Sequence, residues 1–158
     1  MYHVKEKEYR AIEAVEESVL RKMLQTKRSS PRHFLYLETG LVPARHQIHR
    51  QVINYLKYII DQPNTSLIVR VFESMRNHPK KGDWASWTLS LIEKYEINMT
   101  LEEIKETKGS IFKNMVKRQM IKFAFKDLVN RQKKGEKGRN IYNTKLSNNN
   151  NSANSRNA

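Results

Sequence analysis

Three histidines have the residue type and the spacing that a metal site would require. His46 and His49 are three residues apart, a spacing that places both imidazoles on one face of a helix, and His33 precedes them. A zinc site needs three or four ligands. The chain has no cysteine, and Glu38 is the nearby carboxylate that could complete such a set. We therefore interpret the histidines as part of a basic polar face, and we expect no metal site and no cofactor.

Two pairs of adjacent glutamates could suggest phosphoryl-transfer chemistry. Glu16-Glu17 and Glu102-Glu103 lie in helical segments, where neighbouring side chains diverge by about 100°. Two-metal chemistry needs carboxylates that converge on ions about 4 Å apart. The second pair also belongs to a capping box that starts at Thr100. The sequence has neither a glycine-rich phosphate loop nor a serine nucleophile motif, so we predict no catalytic residue and no small-molecule substrate.

Cations dominate the composition. The 158 residues include 30 Lys and Arg against 16 Asp and Glu, a net charge of +14, which predicts a polyanionic partner: nucleic acid first, an anionic membrane surface second. Residues 21–58 hold eight basic residues against Glu38, and residues 111–145 hold eleven against two acidic ones. The near-neutral residues 59–110 separate these two basic segments. They could form the two walls of a groove, and folding could equally place them apart.

In the second basic segment, cations recur at about one helical turn, with apolar residues between them. Such a helix can follow a phosphate backbone and release counterions, although a solvated face over an ordinary core has the same pattern. From the first segment we expect Arg45 and Arg50 to point outward. The predicted nucleic-acid-binding residues are Arg45, Arg50, Lys113, Lys117, Arg118, Lys122, Lys126 and Arg131.

The elements that must position these residues are helices. Apolar residues recur at spacings of three and four, and no segment shows the period-two alternation of a strand. The first helix, residues 9–26, should bury an apolar stripe, namely Ile12, Val15, Val19, Leu20, Met23 and Leu24. The other helices predicted are 31–39, one from Ala44 that ends before Pro63, one capped by Asn64, one capped by Asp83, one or two turns after Thr100, and 111–131. The fold class is all-α, an irregular bundle of about six helices.

The chain divides by composition into two regions. Residues 1–134 form the helical region, and residues 135–158, basic and then asparagine-rich, are predicted to be a disordered tail. The first residues are polar, and no stretch is apolar enough to span a bilayer. We therefore expect an intracellular protein of the nucleus or cytoplasm, without a transmembrane segment.

Several short motifs occur in a definite order along the chain. They are Leu20-Arg21-Lys22, Ser30-Pro31, LYLETG at Leu35–Gly40, Pro43, Arg45, Tyr55-Leu56, Lys81–Trp84 and Lys137–Asn143. Their order resembles the region following the polymerase core in LINE-like, non-LTR retrotransposon reverse transcriptases. The resemblance covers about residues 10–146, and Ala44 and His46 depart from it by replacing the family's isoleucine and phenylalanine.

The resemblance implies a thumb-like or linker-like region that holds template and primer. The polymerase palm with its paired aspartates has no counterpart here. The chain therefore resembles a fragment or decayed copy of an RNA-directed DNA polymerase and is not expected to be an enzyme alone. Its implied partners are RNA or DNA and the missing polymerase core.

The motif around Pro31, Gly40 and Pro43 is interpreted as a bend between two helices, anchored in the core by Leu35 to Leu37. A second hypothesis is a stand-alone basic helical module that binds an acidic protein or an anionic membrane surface. Trp84, Trp87 and Tyr95 share one helical face and could serve such a partner, although aromatic residues at helical spacing are more often core.

Overall fold

The computed structural model describes residues 5–80 and 82–154, with side chains as far as Lys134. These residues form seven α-helices and no strand, which confirms the all-α prediction with one helix more than the approximate count. The turns after Thr100 form a helix of their own. The helices are α1 (Glu6–Met23), α2 (Arg32–Thr39), α3 (Ala44–Ile60), α4 (Leu67–Asn77), α5 (Trp84–Lys94), α6 (Leu101–Glu106) and α7 (Gly109–Asn154).

Some sequence predictions concern residues whose side chains or placement the structure does not describe. The predicted disordered tail, residues 135–158, and the motif Lys137–Asn143 lie beyond the described side chains, and Lys81 of the motif Lys81–Trp84 is not described. Within the described residues, no helix is both long enough and apolar enough to cross a bilayer.

The helix ends follow local chemistry. Asp83 accepts a hydrogen bond from the backbone N–H of Ser86 at 2.6 Å, and Thr100 forms the predicted capping box with Glu103. Gly40 ends α2 with a φ of 66°, the left-handed conformation that glycine adopts without a Cβ clash. Pro31 is the N-cap of α2 rather than its first residue, one position from the prediction.

Two apolar clusters form the core, and α7 belongs to both. The larger cluster joins α3, α4, α5, α6 and the first half of α7 around Ile53, Leu56 and Phe112. The smaller one joins α1, α2 and α7 around Leu20, Leu35 and Leu128. Trp84 and Tyr95 are buried members of the larger cluster and Trp87 packs against it, so these aromatic residues are core rather than a surface patch.

The predicted core face of α1 is wrong at most of its positions. Of its six members, Leu20 is buried and Leu24 packs against the smaller cluster. Ile12, Val15, Val19 and Met23 are exposed, Val15 to 69 % of its surface. The buried residues of α1 are Tyr9, Glu13, Glu17 and Leu20. These four also have helical spacing, so α1 has two possible inward faces. The one it uses turns carboxylates, rather than valines, towards α2 and α3.

Candidate functional site

Carboxylates on the inward face of α1 pair with arginines of α2 and α3. Glu13 is 5 % exposed, and Nη2 of Arg32 lies 2.9 Å from its Oε2. Arg32 also pairs with Glu17. From α3, Nε of Arg45 lies 3.2 Å from Oε1 of Glu13, and its Nη2 donates to Glu6 at 2.9 Å. These contacts neutralise cations that the sequence assigned to a basic wall.

The prediction that the bend points Arg45 outward is therefore wrong. Its guanidinium turns back towards α1, and Cζ lies 5.0 Å above the ring centroid of Tyr9. Arg50, the other predicted cation of α3, is half-buried. Of the two predicted basic walls, the one on α2 and α3 thus has much of its charge compensated within the fold.

Glu16 of α1 accepts two hydrogen bonds from the bend between α2 and α3. The hydroxyl of Tyr36 donates to Oε2 of Glu16 at 2.8 Å, and the backbone N–H of Ala44 donates to the same atom at 2.9 Å. Burial and the hydrogen bond to Glu16 raise the pKa of Tyr36 well above its ordinary value. The bend predicted from Pro31, Gly40 and Pro43 is present, and an acidic side chain from a distant part of the sequence holds it.

His46 and His49 lie in a buried hydrogen-bonded chain, not on the polar surface that the sequence suggested. They are 7 % and 4 % exposed. Oη of Tyr95 lies 2.9 Å from Nδ1 of His46 and 2.6 Å from Nδ1 of His49, and Nε2 of His49 lies 3.0 Å from Oη of Tyr9. The sequence correctly predicted that both imidazoles lie on one face of a helix, but the prediction that this face is exposed was wrong. In the part of the chain described, no three His, Cys, Asp or Glu side chains form a group that could hold a metal ion.

The hydrogen bonds that link Tyr9, His49, Tyr95 and His46 constrain the tautomers of the two histidines. Tyr95 has one hydroxyl hydrogen, so one imidazole accepts it at Nδ1 and the other donates from Nδ1. Burial, followed by the charge of Lys94, lowers the pKa of His46 to about 4, so its ring is neutral at pH 7. If Tyr95 donates to His46, then His46 carries its hydrogen on Nε2, and His49 can accept from Tyr9.

A charged cavity of about 870 Å³ adjoins His46, between α1, α2, α3, α5 and α7. Three carboxylates line it, and each pairs with an arginine: Glu6 and Glu13 with Arg45, and Asp127 with Arg131 at 2.9 Å. Among the residues with described side chains, the lining holds five cations, namely Arg10, Arg32, Arg45, Lys94 and Arg131. Cations therefore outnumber carboxylates around this space.

The second basic segment forms an exposed ridge on α7, which we define as Arg118, Lys122 and Lys126. All three are exposed, and their spacing of four residues places them on one face, about 6 Å apart along the axis. The opposite face buries Val116, Met120 and other residues of the core. An open groove of about 470 Å³ runs beside the ridge, and Asn114 and Gln119 line it with amides that can hydrogen bond.

The other predicted cations of α7 lie elsewhere on the helix. Lys113 and Lys117 are exposed and four residues apart, and Lys117 projects about 100° around the axis from Arg118. Arg131 is paired with Asp127 and lines the cavity. The structure thus brings Arg118, Lys122 and Lys126 onto one face, leaves Lys113 and Lys117 beside it, and separates Arg45 from this group.

Sequence reasoning missed Glu13, Lys94 and Tyr9, and it did not link Tyr95 to the histidines. A signal existed for Glu13, because it shares helical spacing with Tyr9 and Leu20, which are buried. The sequence held no comparable signal for Lys94, whose position depends on how the end of α5 meets α3 and α7.

Comparison of the chain with protein-family models, with curated proteins and with solved structures finds no significant match.

Proposed function

We propose that this chain binds the sugar–phosphate backbone of RNA or DNA through α7, without an active site of its own. The observation that carries the proposal is the ridge of Arg118, Lys122 and Lys126, whose ammonium and guanidinium groups form no ion pair with any carboxylate in the part of the chain that the structure describes and face solvent on successive turns. The ridge spans about 12 Å, close to the axial length of three to four nucleotide steps of one strand at about 3.4 Å each.

The motifs from Leu20-Arg21-Lys22 to Tyr55-Leu56 give this function a context. They support the proposal that the chain corresponds to the helical region after the polymerase core of a LINE-like reverse transcriptase, present as a fragment or decayed copy without the palm. The bend that carries the motif Leu35–Gly40 is then scaffold, since its side chains enter the core or pair with α1. In this setting the missing polymerase core is a further partner.

Backbone binding predicts a steep salt dependence and little sequence preference, because phosphate contacts carry no base information. The test is the log–log slope of affinity against salt concentration for single-stranded RNA, single-stranded DNA and duplex DNA. Replacing Arg118, Lys122 and Lys126 by Ala should reduce the slope by about 2 to 3 units, because each lost contact releases about one counterion fewer. The helix should persist, since alanine is the better helix former.

A control with the same loss of charge removes exposed cations outside α7: Arg70, Lys80 and Lys105, each replaced by Ala. It should leave the slope nearly unchanged. A second variant, Lys113→Ala with Lys117→Ala, measures whether the neighbouring face takes part. If the ridge variant and the control lower the slope equally, the ridge is not the interface, and a parent protein without salt dependence excludes backbone binding.

The second candidate is a module that binds an anionic membrane surface or an acidic protein, and the exposed stripe of α1 favours it. Ile12, Val15, Val19 and Met23 form an apolar strip along one side of this helix, and Lys22 lies next to its last member. Flotation with vesicles containing anionic lipid tests this candidate. Binding to vesicles that is lost in Val15→Ser with Val19→Ser, together with no binding to nucleic acid, would place it first.

A further inference from the structure

One cation in the charged cavity is left uncompensated. Lys94 enters from the last turn of α5, with Nζ 5.6 Å from the ring centroid of Tyr95 and 6.0 Å from that of Phe123. It makes no ion pair with any described carboxylate, whereas the cavity's own carboxylates pair with arginines. Partial burial, and then the charge of Arg45, lower the pKa of Lys94, which outweighs the opposite effects of Asp127 and Glu6.

Hydrogen-bond donors from other helices line the same space. Arg45 and Arg131 reach it from α3 and α7. His46 also lines it, and Nδ1 of His46 is already bonded to Tyr95, so Nε2 is the nitrogen that remains for a ligand. The charge of Lys94 in turn helps to lower the pKa of His46. The two side chains therefore share an environment in which added positive charge is unfavourable and an anion would be favourable.

We propose that this cavity binds a phosphate group, with Nζ of Lys94 as its main charged contact and Arg45 and Arg131 as neighbouring positive charges. Nε2 of His46 is a further donor in the tautomer in which Tyr95 donates to Nδ1 of that ring. A phosphate presents several acceptor oxygens in different directions, which suits positive groups that line the cavity from α3, α5 and α7. The volume of about 870 Å³ exceeds that of a single phosphate and leaves room for the group esterified to it. The proposal does not rest on the nucleic-acid interface, because it uses different residues on a different face.

The experiment measures binding of inorganic phosphate, and of adenosine monophosphate as a model ester, by isothermal titration calorimetry with the full chain. The variant Lys94→Met keeps most of the aliphatic stem and removes the charge. The matched control is Lys80→Met, an exposed lysine outside the cavity. We expect Lys94→Met to weaken binding at least tenfold and Lys80→Met to leave it unchanged, with near-ultraviolet circular dichroism confirming that both variants are folded.

A readout on His46 separates the proposed site from general attraction to a basic protein. Phosphate bound beside Lys94 should shift the imidazole resonances of His46 in a heteronuclear NMR spectrum more than those of His78, which is exposed in the loop after α4. Equal affinity of the Lys94→Met variant and the parent would overturn the proposal. So would the absence of any shift at His46 with inorganic phosphate, with the monophosphate and with a 5′-phosphorylated oligonucleotide.

Two sources of phosphate remain distinguishable. If inorganic phosphate and the monophosphate both bind, the site takes free phosphate or its esters. If neither binds but a 5′-phosphorylated oligonucleotide binds more tightly than its 5′-hydroxyl counterpart, and Lys94→Met removes that difference, the site takes the end of a strand. If none of these ligands depends on Lys94, the cavity is not a phosphate site. The variant with Arg118, Lys122 and Lys126 replaced by Ala should retain phosphate binding. Measuring its phosphate affinity therefore shows whether the cavity and the ridge are independent sites.

Discussion

Arg45 forms a bidentate ion pair with Glu13, a residue 32 positions earlier in the sequence. Its Nε lies 3.2 Å from Oε1 and its Nη2 lies 3.4 Å from Oε2. Glu13 also accepts from Arg32, so one nearly buried carboxylate compensates two guanidinium groups. A buried charge is costly unless it is paired and hydrogen-bonded. Each member of this cluster therefore depends on the others, and the pairing ties α1 to α2 and α3.

Replacing Glu13 by Gln should destabilise the protein by about 1 to 3 kcal/mol. The substitution keeps the shape and removes the charge that both arginines use. The loss should be below the 3–5 kcal/mol typical of breaking a fully buried pair, because Arg32 is 45 % exposed. Urea denaturation of the parent and variant at pH 7 measures the difference in unfolding free energy.

The control for this substitution is Glu73→Gln, which breaks the exposed pair between Glu73 and Arg76 at 2.8 Å. Exposed pairs contribute about 0–1 kcal/mol, so the control should unfold close to the parent. If Glu13→Gln were as stable as this control, the cluster would have no structural role.

The parts of the fold set by local chemistry were predictable from the sequence. Gly40, Asp83 and Thr100 mark helix ends through their own side chains or backbone freedom, and the structure has those ends. The burial of Tyr36 and Tyr95 follows from their place in apolar patterns. The exposure of Lys113, Lys117 and the ridge follows from periodicity in the same way.

The remaining features depend on pairs that are distant in sequence. Glu13 can face inward only because Arg32 and Arg45 meet it there, and neither position is coupled to α1 by any spacing in the sequence. His46 is buried because Tyr95, 49 residues later, satisfies its Nδ1. A polar residue taken alone is best predicted as exposed, so a buried polar network is the kind of site that reasoning from single helices misses.

His46 should make stability depend on pH. Burial and the charges of Lys94 and Arg45 lower its pKa to about 4 from 6.5, against the opposite effects of Asp127 and Glu13. Between these two values the unfolded chain binds a proton that the folded protein does not, so stability is complete above about pH 6.5 and falls as the pH drops towards 4. The loss over that window is at most about 3 kcal/mol.

The variant His46→Gln should flatten this dependence, because it removes the titrating ring while keeping a group that can hydrogen bond to Tyr95. Unfolding free energies measured from pH 7.5 to 5 should lose part of their slope in this variant. His78→Gln, at an exposed site, should retain the slope of the parent. If His46→Gln retained it as well, other groups would account for the pH dependence.

Substitutions at two adjacent residues can test which face of α1 is buried. Leu20 is 2 % exposed and packs in the smaller cluster, whereas Val19 is 51 % exposed. Leu20→Ala should cost about 2 to 4 kcal/mol, because it leaves a cavity among Leu35, Tyr36 and Leu128. Val19→Ala should change stability by no more than about 0.5 kcal/mol, as expected at a surface position. Thermal and urea denaturation of both variants measure the contrast. A cost for Val19→Ala equal to that for Leu20→Ala would instead favour the apolar stripe as the buried face, with Glu13 turned towards solvent and Arg45 released from it.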